Sequence, residues 1–109
     1  MMKKAKQRGG SEDALKYLDK LRGGPLTLGA AINALRVSDE ETLEAFSKRL
    51  GVSVQHLSDV EKGRRRVSAE RAARWAKALG HPAAVFVRLA LQEELDAAGI
   101  KLRVSVEAA

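Results

Sequence analysis

The sequence predicts an all-α fold with one short strand at its C-terminal end. Three observations carry that reading. Apolar residues recur at helical spacing in successive runs between residues 11 and 99. Thr27, Thr42, Ser53 and Ser68 each stand just before such a run, where a side-chain oxygen can cap the first exposed N–H groups. Period-2 alternation of apolar and polar residues is confined to residues 100–106, at the end of the chain. The expected architecture is therefore a five-helix domain with an extra N-terminal helix before it and a β-strand after it.

Residues 1–10 hold Lys3, Lys4, Lys6 and Arg8, no acid, and end in Gly9-Gly10. This is a basic disordered arm, read either as a minor-groove arm or as a solubilising tail. Residues 11–25 supply an N-terminal helix and a Gly-Gly-Pro linker. Ser11 caps it, Ala14, Leu15, Leu18 and Leu21 share one face, and Gly23-Gly24-Pro25 stops it. Residues 26–99 form the main domain. Thr27 caps a helix at 28–36 with Leu28, Ile32 and Leu35 inward, and an acidic connector follows at 37–41. Thr42 caps 43–50, where Phe46 and Leu50 share a face, and Ser53 caps 54–62, where Leu57 and Val60 turn inward. Ser68 caps 69–79, with Ala72, Trp75, Ala76 and Leu79 as its buried stripe. Pro82 suits the first position of a last helix through Val85, Phe86, Leu89 and Ala90, which Gly99 closes.

Residues 100–109 differ in kind. Ile100, Leu102, Val104 and Val106 alternate with Lys101, Arg103 and Ser105. A single strand leaves its backbone unpaired, and the sequence shows no second one. The expectation is a strand that pairs across a homodimer or with a partner protein; the alternative is a frayed tail.

Composition narrows the function classes. There is no cysteine, which removes disulfides and thiolate metal sites, and the two histidines, His56 and His81, are far apart in sequence. No metal or cofactor is expected. No apolar run approaches the roughly 20 residues that cross a bilayer, and no secretory signal follows the basic start, so a cytoplasmic protein without membrane contact is the default. An enzyme is not expected: no nucleophile with a base, no paired carboxylates and no Gly-rich phosphate loop are visible, and Glu93, Glu94 and Asp96 read as solvated surface. The net charge of +6 is unevenly spread, with +5 in residues 1–36, −4 in 37–61, +6 in 62–77 and −1 in the remainder. Positive charge gathered into two blocks suits a polyanion.

The spacing within residues 42–68 is more specific. Gly51 follows Leu50 where a helix end needs a left-handed residue, and Ser53 opens a new helix two residues later. Helix, tight turn, helix is the layout that places a second helix in the major groove of DNA. With Leu57 and Val60 inward, that helix presents Val54, Gln55, Ser58, Asp59 and Lys62 as candidate base contacts. Gln55 can read adenine, Val54 can pack on a thymine methyl, and Asp59 can accept from cytosine N4 or pair with Lys62 or a nearby arginine. His56 lies at the boundary, to touch phosphate or to pack. Arg64, Arg65 and Arg66 are candidate phosphate contacts, with Thr42 and Ser53 adding hydroxyls beside the helix starts they cap.

Residues 28–80 resemble the Xre family of lambda-repressor-like DNA-binding domains. Leu28-Gly29, Ile32 and Leu35-Arg36 look like its first helix, and Arg49-Leu50-Gly51-Val52-Ser53 matches its turn. Leu57 through Arg65 resembles its recognition helix and exit loop, and Ala76 with Leu79-Gly80 the end of its fourth helix. The resemblance implies a five-helix fold, dimeric binding to an inverted-repeat operator in double-stranded DNA, and an internal ion pair between Arg36 and Glu61. Two positions depart from it. Leu43 stands where the family often has a glutamine that touches phosphate, and Ser47 replaces the usual alanine at a tight contact. The expected function is a homodimeric transcriptional repressor, in its narrower form an autoregulating antitoxin that binds a cognate toxin protein. The alternatives are an autonomous repressor and a protein-interaction module without DNA binding.

Overall fold

The computed structural model describes residues 26–109, which contain five helices: α1 (Leu28–Ser38), α2 (Leu43–Leu50), α3 (Val54–Glu61), α4 (Ala69–Leu79) and α5 (Ala83–Ala97). The first four begin at a side-chain cap. Thr27 accepts from the Ala30 N–H at 3.1 Å, Thr42 from Ala45 at 3.0 Å, Ser53 from His56 at 3.0 Å and Ser68 from Arg71 at 3.1 Å. Each bond satisfies one of the donors that a helix start leaves unpaired. In α5 Pro82 takes the cap position and makes no such bond.

One apolar core joins all five helices. Leu28, Ile32, Phe46, Leu57, Val60 and Phe86 are its largest fully buried side chains. Burying each contributes roughly 1.5–3 kcal/mol against the entropy of ordering the chain. Helix α5 packs mainly on α4 and also reaches α1, while α3 is held between α1 and α2. Ser47 is buried, and its hydroxyl donates to the Glu44 carbonyl at 2.9 Å, so it costs the core little.

The α1–α3 seam is unusually close. A Cβ built on Gly29 would lie 2.0 Å from the Val60 carbonyl oxygen. Only glycine allows the two helix backbones to meet there. Glu93 secures the same region from α5: its Oε2 accepts from the Leu28 N–H at 2.5 Å, supplying α1 with a second N-terminal acceptor. Reading Glu93 as solvated surface is thus corrected: it is half-buried, and burial raises its pKa above the ordinary carboxylate value.

The expected C-terminal strand does not form, and the described residues contain no strand. Residues 100–109 run as irregular chain, tied to α5 by the Gln92 side chain. Gln92 Nε2 donates to the Leu102 carbonyl at 2.9 Å, and its Oε1 accepts from the Val104 N–H at 2.8 Å. A primary amide carries the same donor and acceptor as a peptide group, so it serves these two backbone groups without a neighbouring strand. The Leu102 N–H turns back to the Ile100 carbonyl at 3.0 Å, which breaks the extended path. Val104 and Val106 are partly buried while Ile100 and Leu102 are exposed, so only the second half of the alternation tracks burial. The N-terminal arm and helix expected over residues 1–25 lie outside the described residues.

Candidate nucleic-acid interface

Leu50 buries the end of α2, and Gly51 then turns the chain at φ 73°. The Gly51 and Val52 N–H groups return to the Lys48 and Ser47 carbonyls at 3.2 and 3.1 Å, closing the helix in the left-handed manner that glycine favours. Two residues later Ser53 opens α3. The turn is therefore built from local chemistry, and the core residues Leu57 and Val60 fix the rotation of α3 about its axis.

That rotation leaves Val54 and Gln55 exposed and Ser58 and Asp59 at intermediate exposure, with Lys62 exposed at the cap beyond. Gln55 Nε2 donates to Asp59 Oδ1 at 2.9 Å, and Arg64 donates to the same oxygen from Nε and Nη2 at 3.1 and 2.8 Å. The Arg64 and then the Gln55 hydrogen bonds hold the Asp59 carboxyl below its ordinary pKa. Of the pairings open to Asp59, the one that forms is with Arg64. It becomes possible because the loop folds back after Glu61, where the Arg64 N–H returns to the Asp59 carbonyl at 2.8 Å. Arg65 and Arg66 are exposed, and their side chains make no hydrogen bond among the described residues.

His56 packs instead of facing outward. Its ring lies 6.0 Å from that of Trp75, and Arg71 Nη1 is 3.2 Å from its Nε2. A guanidinium only donates, so Nε2 accepts and the imidazole is neutral. Burial first, then the charges of Arg65 and Arg71, lower its pKa accordingly. Arg71 had no distinct role in the sequence; its spacing from Ser68 shows a helical position but not which neighbour it meets.

Behind α3 lies a second polar cluster. Arg36 Nε donates to Glu61 Oε2 at 2.8 Å and its Nη2 to Oε1 at 3.0 Å, and Asn33 Nδ2 donates to Oε1 at 2.9 Å. Arg36 Nη1 also donates to the Glu41 carbonyl at 3.0 Å, so one guanidinium ties α1 to both α3 and the acidic connector. The Glu61 side chain is 6% exposed and that of Arg36 16%. Glu41 pairs with Arg49, which neutralises one of the connector's three acids, while Asp39 and Glu40 stay exposed. Leu43 packs against the core, which gives the departure at that position a structural use.

Among the described residues, no cluster of His, Cys, Asp and Glu could hold a metal ion, and no helix is long and apolar enough to cross a membrane. Searches of curated proteins and of solved structures return no match. A family model described as helix-turn-helix matches residues 32–86, which spans α1 from its second turn to the start of α5 and contains the whole of α2, α3 and α4. The chain belongs to the Xre-like helix-turn-helix family.

Proposed function

We propose that the chain is a sequence-specific DNA-binding regulator of transcription, with α3 as its reading helix. The observation that carries this is the outward face of α3. Val54, Gln55, Ser58 and Lys62 stand clear of the core on a helix whose rotation Leu57 and Val60 fix, and exposed Arg65 and Arg66 follow at once. In this reading Gln55 contacts adenine and Val54 a thymine methyl, with Ser58 and Lys62 beside them. Arg65, Arg66, Thr42 and Ser53 lie on phosphate, which positions the helix without reading sequence. Two copies would bind an inverted repeat, their reading helices about 34 Å apart so as to meet successive turns of one groove face.

A salt series tests the division of labour. Changing Arg65 and Arg66 together to Ala should weaken binding to every duplex and flatten the dependence of log K on log salt by up to about 1.8, at roughly 0.9 per lost phosphate contact. Gln55→Ala should instead relax preference at one base pair, at a cost of about 1–3 kcal/mol on the best site. A slope that the double variant leaves unchanged would remove Arg65 and Arg66 from the interface.

The narrower proposal is that the regulator is a repressor of its own operon and the antitoxin of a toxin partner. Its support is the tail, where Ile100 and Leu102 are 44% and 65% exposed and offer apolar surface next to the DNA-binding domain. Expressing the product of the adjacent reading frame with and without this chain tests it. Growth arrest relieved by the chain supports the antitoxin reading, and arrest that persists rejects it.

A further inference from the structure

We infer that Asp59 is a positioning residue for specificity: it clamps the Gln55 amide so that Gln55 accepts adenine and rejects guanine. The inference rests on the proposal that α3 reads DNA. Its basis is the convergence of three N–H groups, one from Gln55 and two from Arg64, on the single oxygen Oδ1. An ionised carboxylate accepts hydrogen bonds and donates none. The Gln55 amide must therefore turn its NH2 group toward Asp59, and its carbonyl Oε1 cannot take that place. Arg64 keeps the carboxylate ionised and fixes it against rotation.

The consequence is a count of donors and acceptors. A free glutamine has two N–H hydrogens and a carbonyl, and its amide can rotate to suit either purine. In the major groove adenine shows an N7 acceptor and an N6 donor, whereas guanine shows two acceptors, N7 and O6. Once Asp59 occupies one hydrogen, Gln55 has one donor and one acceptor left. That set matches adenine. Against guanine it leaves Oε1 facing an acceptor, and the rotation that would relieve the clash breaks the bond to Asp59. The clamp also fixes part of the side chain before binding, so less freedom is lost on contact. Asp59 then reads no base itself, and Arg64 serves the clamp before it serves phosphate.

The test uses the full-length chain and duplexes that the wild type selects from a randomised pool. Gln55→Ala first locates the base pair that Gln55 reads. That pair is then changed from A·T to G·C, and the affinity ratio is measured for the wild type, Asp59→Ala and Arg64→Ala. One bidentate pair discriminates by a factor of roughly five to one hundred and fifty. Asp59→Ala should remove most of this factor, because no acceptor then holds the Gln55 NH2 group and the amide can turn over. Other base pairs should keep their preferences and the melting temperature should not move. Arg64→Ala should reduce the ratio by a smaller factor. An adenine-to-guanine ratio unchanged in both variants overturns the clamp, as does loss of preference at a separate C·G pair, which would make Asp59 a direct reader. A wild type that selects a site at which Gln55→Ala relaxes nothing overturns the clamp and leaves DNA reading standing. A wild type that selects no sequence overturns both.

Discussion

Helix α3 carries the same trio of groups on its two sides. Toward the core, Glu61 receives Arg36 and the Asn33 amide; toward solvent, Asp59 receives Arg64 and the Gln55 amide. The difference is burial. Glu61 and Arg36 keep 6% and 16% of their side chains exposed, while Asp59 and Arg64 keep 25% and 56%. Removing one partner of the inner trio strands a charge that little water can reach. Water screens the outer trio and can take over any bond it loses, so that trio contributes little to stability. The inner trio therefore fixes where α3 sits, and the outer one is free to set what α3 presents.

The sharpest way to break that contrast is Glu61→Ala. It should strand Arg36 and cost about 3 kcal/mol, at the low end of the range for a buried pair because Arg36 keeps some contact with water. Asp59→Ala should leave the melting temperature where it is. Comparable losses for the two, measured by denaturant unfolding, would mean that the trios do not differ in role.

Gly29→Ala attacks the same seam without touching a charge. The added methyl would meet the Val60 carbonyl, which is backbone and cannot rotate aside, so α1 and α3 must part. The expected cost is about 2–3 kcal/mol, near the top of the usual range for overpacking. An unfolding curve that coincides with that of the wild type would mean that the helices separate freely, and that the seam does not hold α3 in place.

Much of this frame can be read in the sequence because its causes are local. Ser53 caps α3 three residues before the N–H it accepts, and Gly51 ends α2 through the Lys48 and Ser47 carbonyls, three and four residues back. The spacing of Leu57 and Val60 is enough to say which side of α3 is buried. The outer clamp is harder to read. Gln55 and Asp59 are helical neighbours at i,i+4, but Arg64 reaches Asp59 only because the chain folds back at the helix end. The contact of Glu93 with the Leu28 N–H spans 65 residues and leaves no local trace, so a carboxylate in an acidic stretch looks solvated. The tail misleads for another reason. Alternation suggests a partner strand, but a side-chain amide on a helix stands in its place, and only Val104 and Val106 of the alternating apolar residues are partly buried.

Glu93 gives a smaller and pH-dependent effect. Burial raises its folded pKa above the ordinary value of 4.5, so the folded state binds the proton more tightly than the unfolded one. Its contribution is then most favourable below the ordinary value and declines as pH rises through the raised one. Glu93→Gln keeps an acceptor for Leu28 and carries no charge. The wild type should accordingly lose melting temperature relative to Glu93→Gln as pH rises from about 4 to about 7, across the carboxylate range. A difference that stays constant over that range would contradict the assignment.

One titration decides whether α3 reads sequence. The wild-type chain is titrated into a labelled duplex that it has selected from a randomised pool, and into a scrambled duplex of the same composition, at one physiological salt concentration. The selected duplex should bind tighter by a factor of about a thousand or more, as specific sites do over non-specific ones. Equal affinity for the two duplexes would mean that α3 reads no sequence.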